Sequence, residues 1–235
     1  MRVLLSMMVL GAAIATVAIP VQAGDEKWTP LFNGKDLTGW KMHPKPSADI
    51  LEVTEKKNAD GKVIAFIGKL KNGKEEPLWR IENGLLIGNG PVSHLFSERG
   101  DYENFRYRIE AKINDGGNSG QYFRTAFGPN YPAGYEAQIN STHADKVKTG
   151  SLYGFKDFLI FEKLHAPDEY FVQEVTAIGN KITIKVNGKQ TVDIVMEKPK
   201  FGRKGHFALQ QHHNGSVVTF KKVEVIELPA TSDKE

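Results

Sequence analysis

The chain has 235 residues, with 31 lysines and arginines against 28 aspartates and glutamates, a formal net charge of +3. That balance removes any bulk electrostatic reason to bind nucleic acid or an acidic membrane. With no cysteine, disulfide scaffolds and thiolate metal clusters are excluded, so folding must rest on a buried apolar core.

Met1–Ala23 carries Arg2, an apolar run from Val3 to Ile19, and Val21-Gln22-Ala23. This is the pattern of a secretory signal cleaved near Ala23. A membrane anchor fits less well, because the run is short and Pro20 interrupts it. The expectation is a secreted or periplasmic protein whose residues 24–235 form one all-β domain.

Asp25–Trp40 has turn signals at Asn33-Gly34 and Thr38-Gly39, with Leu31, Phe32, Leu37 and Trp40 as an apolar plug. It reads as a clamp closing the N-terminus onto the domain. Lys41–Pro77 is the least patterned part and reads as an insertion at the domain edge, with one strand near Lys62–Ile67. Asn83-Gly84 joins two apolar strands within Leu78–Gly88, a two-residue hairpin signal. In Asn104–Ile113, Phe105, Tyr107, Ile109, Ala111 and Ile113 alternate with Arg106, Arg108, Glu110 and Lys112. That is the period of a half-buried strand. Further strands are expected at Ser119–Phe127, Gly134–Asn140, Tyr170–Ile178, Lys181–Val186, Gln190–Val195, Gly205–His212 and Val217–Leu228. Ser141–Asp157 is a long loop of a length often tied to function. Short strands at turn-spaced intervals predict a sandwich or jelly roll.

Alternation also sorts polar residues onto faces. Glu136, Gln138 and Asn140 share one face of their strand. Tyr122 and Arg124 share a face of theirs, and His206, Gln210 and His212 of a third. If those faces adjoin, they form a polar floor roughly ten ångströms wide, suited to a sugar ring. A solvent-exposed sheet face is the bland alternative for any one of these residues. The combined set Arg124, Glu136, Gln138, Gln210 and His212 points to a site. Asn118, Tyr122, Asn140, Tyr153 and Gln210 are expected to bind sugar. His143 is a weaker candidate, and His43, His94, His165 and His213 are expected to be exposed.

A retaining glycosidase needs two carboxylates about 5 Å apart. The Glu136 strand offers one carboxylate and two amides, which argues against that mechanism. Removal of a proton beside a ketone needs one base and a group to hold the enolate. Glu136 or His212 fits the base and Arg124 the oxyanion partner, with Gln138 expected beside them in the catalytic set. A divalent ion is an option, with its ligands unassigned. Asn140-Ser141-Thr142 and Asn214-Gly215-Ser216 match glycosylation acceptors, a short pattern with many chance matches.

LFNGKDLTGW, NSGQYFRT, GYEAQIN, TGSLYG, IKVNGK and ALQQHHNGSVV occur in that order across Trp28–Leu228. Together they resemble the 3-keto-disaccharide hydrolase family, also described as a 3-keto-glucoside 1,2-lyase/3-keto-2-hydroxyglucal hydratase domain. The resemblance implies a concanavalin A-like jelly roll acting on sugars already oxidised at C3. The ketone would acidify the C2 proton, allowing elimination of the C1 group and then hydration. Three positions depart from the family pattern. Tyr170-Phe171 stands for Trp-Asn or Trp-Phe, Asn140 for Asp, and Lys221-Lys222 for Arg-Asn. The alternatives to an enzyme are a non-catalytic carbohydrate-binding module and an adhesion or scaffold domain.

Overall fold

The computed structural model describes residues 27–229, and the expected secretory segment Met1–Ala23 lies outside them. Among the described residues the secondary structure is strands, numbered here in chain order, plus one 3-10 turn at Lys156–Phe158. No helix there is long and apolar enough to cross a membrane.

Two antiparallel sheets form the fold. The ten-stranded sheet runs β13 (Lys189–Val195), β12 (Lys181–Val186), β11 (Phe171–Ile178), β8 (Phe105–Ile113), β15 (Val218–Glu227), β6 (Leu85–Gly88), β5 (Glu75–Glu82), β4 (Val63–Leu70) and β3 (Ile50–Lys57). The short β1 (Thr29–Pro30) also pairs with β15. The five-stranded sheet runs β10 (Tyr135–Ile139), β9 (Ser119–Thr125), β14 (His206–Gln211), β7 (Ser93–Ser97) and β2 (Trp40–Met42). This is a jelly-roll sandwich of the concanavalin A-like kind.

The sheets meet through aromatic side chains. Phe207 of β14 stacks on Tyr107 of β8 at 4.0 Å between centroids and meets Phe105 edge-on at 4.8 Å. β8 buries every second residue, as its alternation predicts. Its outer arginines pair with acids of neighbouring strands, Arg106 with Glu174 and Arg108 with Glu224. The N-terminal plug closes on β15, where Val223 O accepts from the backbone of Leu31 and Phe32.

Two sequence expectations need correction. Lys41–Pro77 is not an edge insertion: β3, β4 and the start of β5 form a meander that extends the larger sheet. Most of β3 is exposed and charged, so it carries no apolar alternation to read. Ser93–Ser97 was not expected as a strand, yet β7 lies inside the smaller sheet with all five residues buried. Burial on both faces erases the period-2 signal.

Where turn chemistry was explicit, it matches the backbone. Asn83 and Gly84 have φ of 52° and 77°, and Asn187 and Gly188 have 49° and 81°. Two successive positive-φ residues are the requirement of a type I′ hairpin.

Candidate active site

The outer face of the smaller sheet carries a cavity of about 490 Å³. β10 contributes Glu136 and Gln138, β9 contributes Tyr122, and β14 contributes Gln210. Asn118 and His212 lie just beyond strand ends. Tyr131, Tyr153, Lys200 and Phe201 complete the walls. The loop 141–157 is tied along β10 by its own backbone. Gln138 N donates to Ser151 O, Gly150 N to Gln138 O, and Tyr153 N to Glu136 O. That ladder sets Tyr153 beside Glu136.

Glu136 is the only carboxylate among the cavity-lining residues and is only 8 % exposed. Its Cα partner across the sheet is Tyr122, whose hydroxyl donates to Oε2 at 2.9 Å. Gln210 Nε2 in turn donates to the Tyr122 hydroxyl at 3.1 Å. Burial pushes the Glu136 carboxyl up to about 8, against the lowering effect of the Tyr122 bond, and the nearby charge of Asp145 adds to the rise. Burial and the Glu136 charge push the Tyr122 phenol well above its ordinary range. The side chain of Glu136 lies over Gly120, where an added Cβ would clash with Oε1.

The cavity also presents unused acceptors. Asn118 Oδ1 and Gln210 Oε1 are buried and have no partner among the described residues. Such oxygens suit sugar hydroxyls. Gln138 Oε1 accepts from the backbone N–H of Ile139 at 3.0 Å. Tyr131 and Tyr153, 54 % and 42 % exposed, offer ring faces at the mouth.

His212 meets two further imidazoles. Its Nδ1 is 3.1 Å from Nδ1 of His213, and its ring centroid is 5.7 Å from that of His143. Burial first, then the neighbouring His213 and His143, pull His212 down to about 4. One ring nitrogen of each histidine lies within 4.8 Å of the others, an arrangement that could hold a metal ion.

Arg124 is corrected. It does not line this cavity, and its guanidinium donates to Glu103 O at 2.6 and 3.0 Å and to Gly179 O at 2.8 Å. The cause is local: Arg124 has φ +48°, and the β9–β14 register shifts between His206 and Ala208. A left-handed residue at a bulge breaks the alternation that put Arg124 beside Tyr122. The same irregularity separates His206 from Gln210. His206 lies outside the cavity, with Nδ1 bonded to Ser97 O.

Asn140 is corrected as a sugar ligand. Its Nδ2 donates to Asp145 O and Val147 O, while Oδ1 accepts from His143 N and Lys148 Nζ. It organises the loop, and its complete burial leaves no room for a glycan at the acceptor motif. His94 and His165 are buried rather than exposed. His94 packs edge-on against Tyr122 at 5.0 Å.

Sequence reasoning missed Asp145, Tyr131, Lys200 and the partnership of His143 with His213. All of them lie outside the strands, so alternation assigns them no face. Asp145 matters because it is a second carboxylate near the cavity. Its Oδ1 accepts from Val147 N and its Oδ2 from Tyr153. Glu136 is therefore the single acid of its strand face but not of the whole neighbourhood.

The family model described as the 3-keto-alpha-glucoside-1,2-lyase-like domain matches residues 27–226. No curated protein matches the chain. Two solved structures described as candidate glycosyl hydrolases from Parabacteroides distasonis share the fold. The first is 22 % identical, with 86 % of this chain and 94 % of that chain covered and a TM-score of 0.63. The second is 20 % identical, with coverage of 86 % and 100 % and a TM-score of 0.59. The carbohydrate recognition domain of Emp47p is 9 % identical, with coverage of 88 % and 99 % and a TM-score of 0.51.

Proposed function

Because the chain belongs to the 3-keto-alpha-glucoside-1,2-lyase-like domain family, we propose that it cleaves 3-keto-glycosides by elimination followed by hydration. The observation that carries this reading is Glu136: a buried carboxyl in a sugar-sized cavity, with its proton affinity raised to about 8. Such a group is a stronger base than an ordinary carboxylate and sits close to neutral pH.

Glu136 takes the proton from C2, which the C3 ketone has acidified. The electron pair left on C2 forms the C1–C2 double bond as the glycosidic oxygen leaves C1 with its own pair. Protonated Glu136 returns the proton to the leaving oxygen. Water then adds oxygen to C1 and a proton to C2, so the net change is hydrolysis with no redox step. Tyr122, backed by Gln210, holds the carboxylate in place. Asn118 and Gln210 accept from sugar hydroxyls, Gln138 lines the same floor, and Tyr153 packs against the ring.

With Arg124 engaged elsewhere, the charge developing on the ketone oxygen needs another electrophile. Lys200 lines the cavity, its Nζ 5.5 Å from the Phe155 ring and 5.3 Å from that of Phe201. The histidine cluster is the other source. The Met1–Ala23 pattern extends the proposal to a protein acting outside the cytoplasm, with residues 24–235 as one unit.

A 3-keto aryl glucoside deuterated at C2 tests the proposal. Phenol release should show a primary isotope effect, and the unoxidised glucoside should be inert. Equal cleavage of both sugars would sink the elimination and favour ordinary glycosidase chemistry involving Asp145. A second reading, a sugar-binding module, is favoured by the exposed Tyr131 and Tyr153. It predicts saturable binding of an unoxidised oligosaccharide without release from either substrate.

A further inference from the structure

Three imidazoles converge at one end of the cavity. His143 comes from the long loop, and His212 and His213 follow β14. Their ring centroids form a triangle with sides of 5.0, 5.2 and 5.7 Å. Nδ1 of His212 and Nδ1 of His213 face each other at 3.1 Å. Two nitrogens bound to one tetrahedral ion at 2.0–2.1 Å stand about 3.3 Å apart. The His212–His213 pair is therefore already at ligating separation. The three nitrogens lie within 4.8 Å of one another, so closing the triangle needs a movement of roughly 1.5 Å. Half-buried His143, on the loop, can supply it.

Asn118 ties the cluster to the sugar-binding floor. Asn118 is only 2 % exposed and its Oδ1 has no partner among the described residues. Its Nδ2 lies 3.3 Å from Nδ1 of His143. Asp145 N donates to Nδ1 of His143 at 3.1 Å, an outer contact that would orient that ring with Nε2 as the ligand, while Ser216 Oγ, 3.0 Å from Nδ1 of His213, would give up that nitrogen to the ion.

We propose that His143, His212 and His213 hold a first-row divalent transition-metal ion at the end of the cavity. An all-imidazole set favours zinc, cobalt or nickel over calcium and magnesium, which take oxygen ligands. Between the two facing Nδ1 atoms there is room for one proton. The ion takes its place, and that proton moves to Nε2 of the same ring. Three protein ligands leave coordination positions open, and His212 lines the cavity together with Glu136. The C2 hydroxyl and C3 ketone of a 3-keto sugar are a bidentate pair that would fill the fourth position and expand the ion to five ligands. The ion would then stabilise the enolate oxygen, making His212 a ligand and leaving Glu136 as the base. This last role rests on the proposed elimination; binding of the ion does not.

The test strips the full chain with a chelator and titrates it with cobalt(II) alone. One equivalent should bind with the visible absorption of a nitrogen-ligated cobalt site. His143→Ala and His213→Ala should each weaken binding by at least about tenfold, while their metal-free melting temperatures match the parent. Absence of saturable cobalt binding, or equal affinity in both folded variants, overturns the centre. A parallel assay follows release from a 3-keto aryl glucoside. Recovery of turnover on adding cobalt to stripped protein supports the catalytic role, and full turnover without metal overturns it. Cobalt binding with no ketone-dependent release under any condition would reject the lyase and keep the centre.

Discussion

The Tyr122 hydroxyl donates to Oε2 of Glu136 at 2.9 Å, across a pair of strands that sets the two residues directly opposite each other. The bond holds down the proton affinity of a carboxyl that burial drives up. It joins position and basicity in one contact, and Gln210 supports it from the next strand.

Glu136→Gln should therefore lower turnover of a 3-keto-glucoside by at least about 10²-fold, the scale of general-base assistance. It should also change the pH dependence of stability. The carboxyl is raised from 4.5 to about 8 by folding, so between those values the folded state retains a proton that the unfolded chain has lost. Stability of the parent then falls as pH rises through this window, by up to about 1.4 kcal/mol per pH unit, and levels off above it. Urea unfolding at pH 5, 6.5 and 8 should show the variant gaining on the parent at each step. A constant difference would mean that Glu136 is not held protonated.

The pH profile of kcat/KM should rise with a midpoint near 8, as the carboxyl ionises. In Tyr122→Phe the lowering contribution of the hydroxyl is gone, so the midpoint should move upward. A purely structural Tyr122 would reduce the rate without moving the midpoint.

Gly120→Ala should fold and yet lose activity. An added Cβ would clash with Oε1 and come within 2.8 Å of Cδ of Glu136. The flexible carboxylate can swing aside at modest cost in stability, but it then leaves its place over the floor. A loss of about 10²-fold in kcat is expected, with a melting temperature near that of the parent. Undiminished kcat would place the reacting carboxylate elsewhere.

Arg124→Ala should behave in the opposite way. Its three hydrogen bonds hold Glu103 and Gly179, and removing a buried charged donor of this kind costs about 2–4 kcal/mol. Turnover per folded molecule should remain within a few-fold of the parent. A collapse of kcat in fully folded protein would restore Arg124 to the chemistry.

Much of the scaffold is legible in local chemistry. The alternation of β8, the Asn-Gly pairs at 83–84 and 187–188, and the strands on either side of them are written in residues that are near neighbours in sequence. Glu136 and Gln138 could be placed on one face because β10 is regular. Arg124 could not, because a single left-handed residue reverses the count after Tyr122. Nor could β7, whose burial on both sides leaves no alternation.

The sequence alone determined the strand period, the hairpin turns and a polar face bearing Glu136, because each depends on contacts a few residues apart. Only the tertiary structure decided which polar groups meet. Tyr122, Glu136 and Gln210 come from three strands, and His143 reaches His212 and His213 from a loop nearly 70 positions earlier. Burial and the approach of distant chain segments set the proton affinity of Glu136 and assemble the imidazole cluster, and neither has a period that a linear pattern can carry.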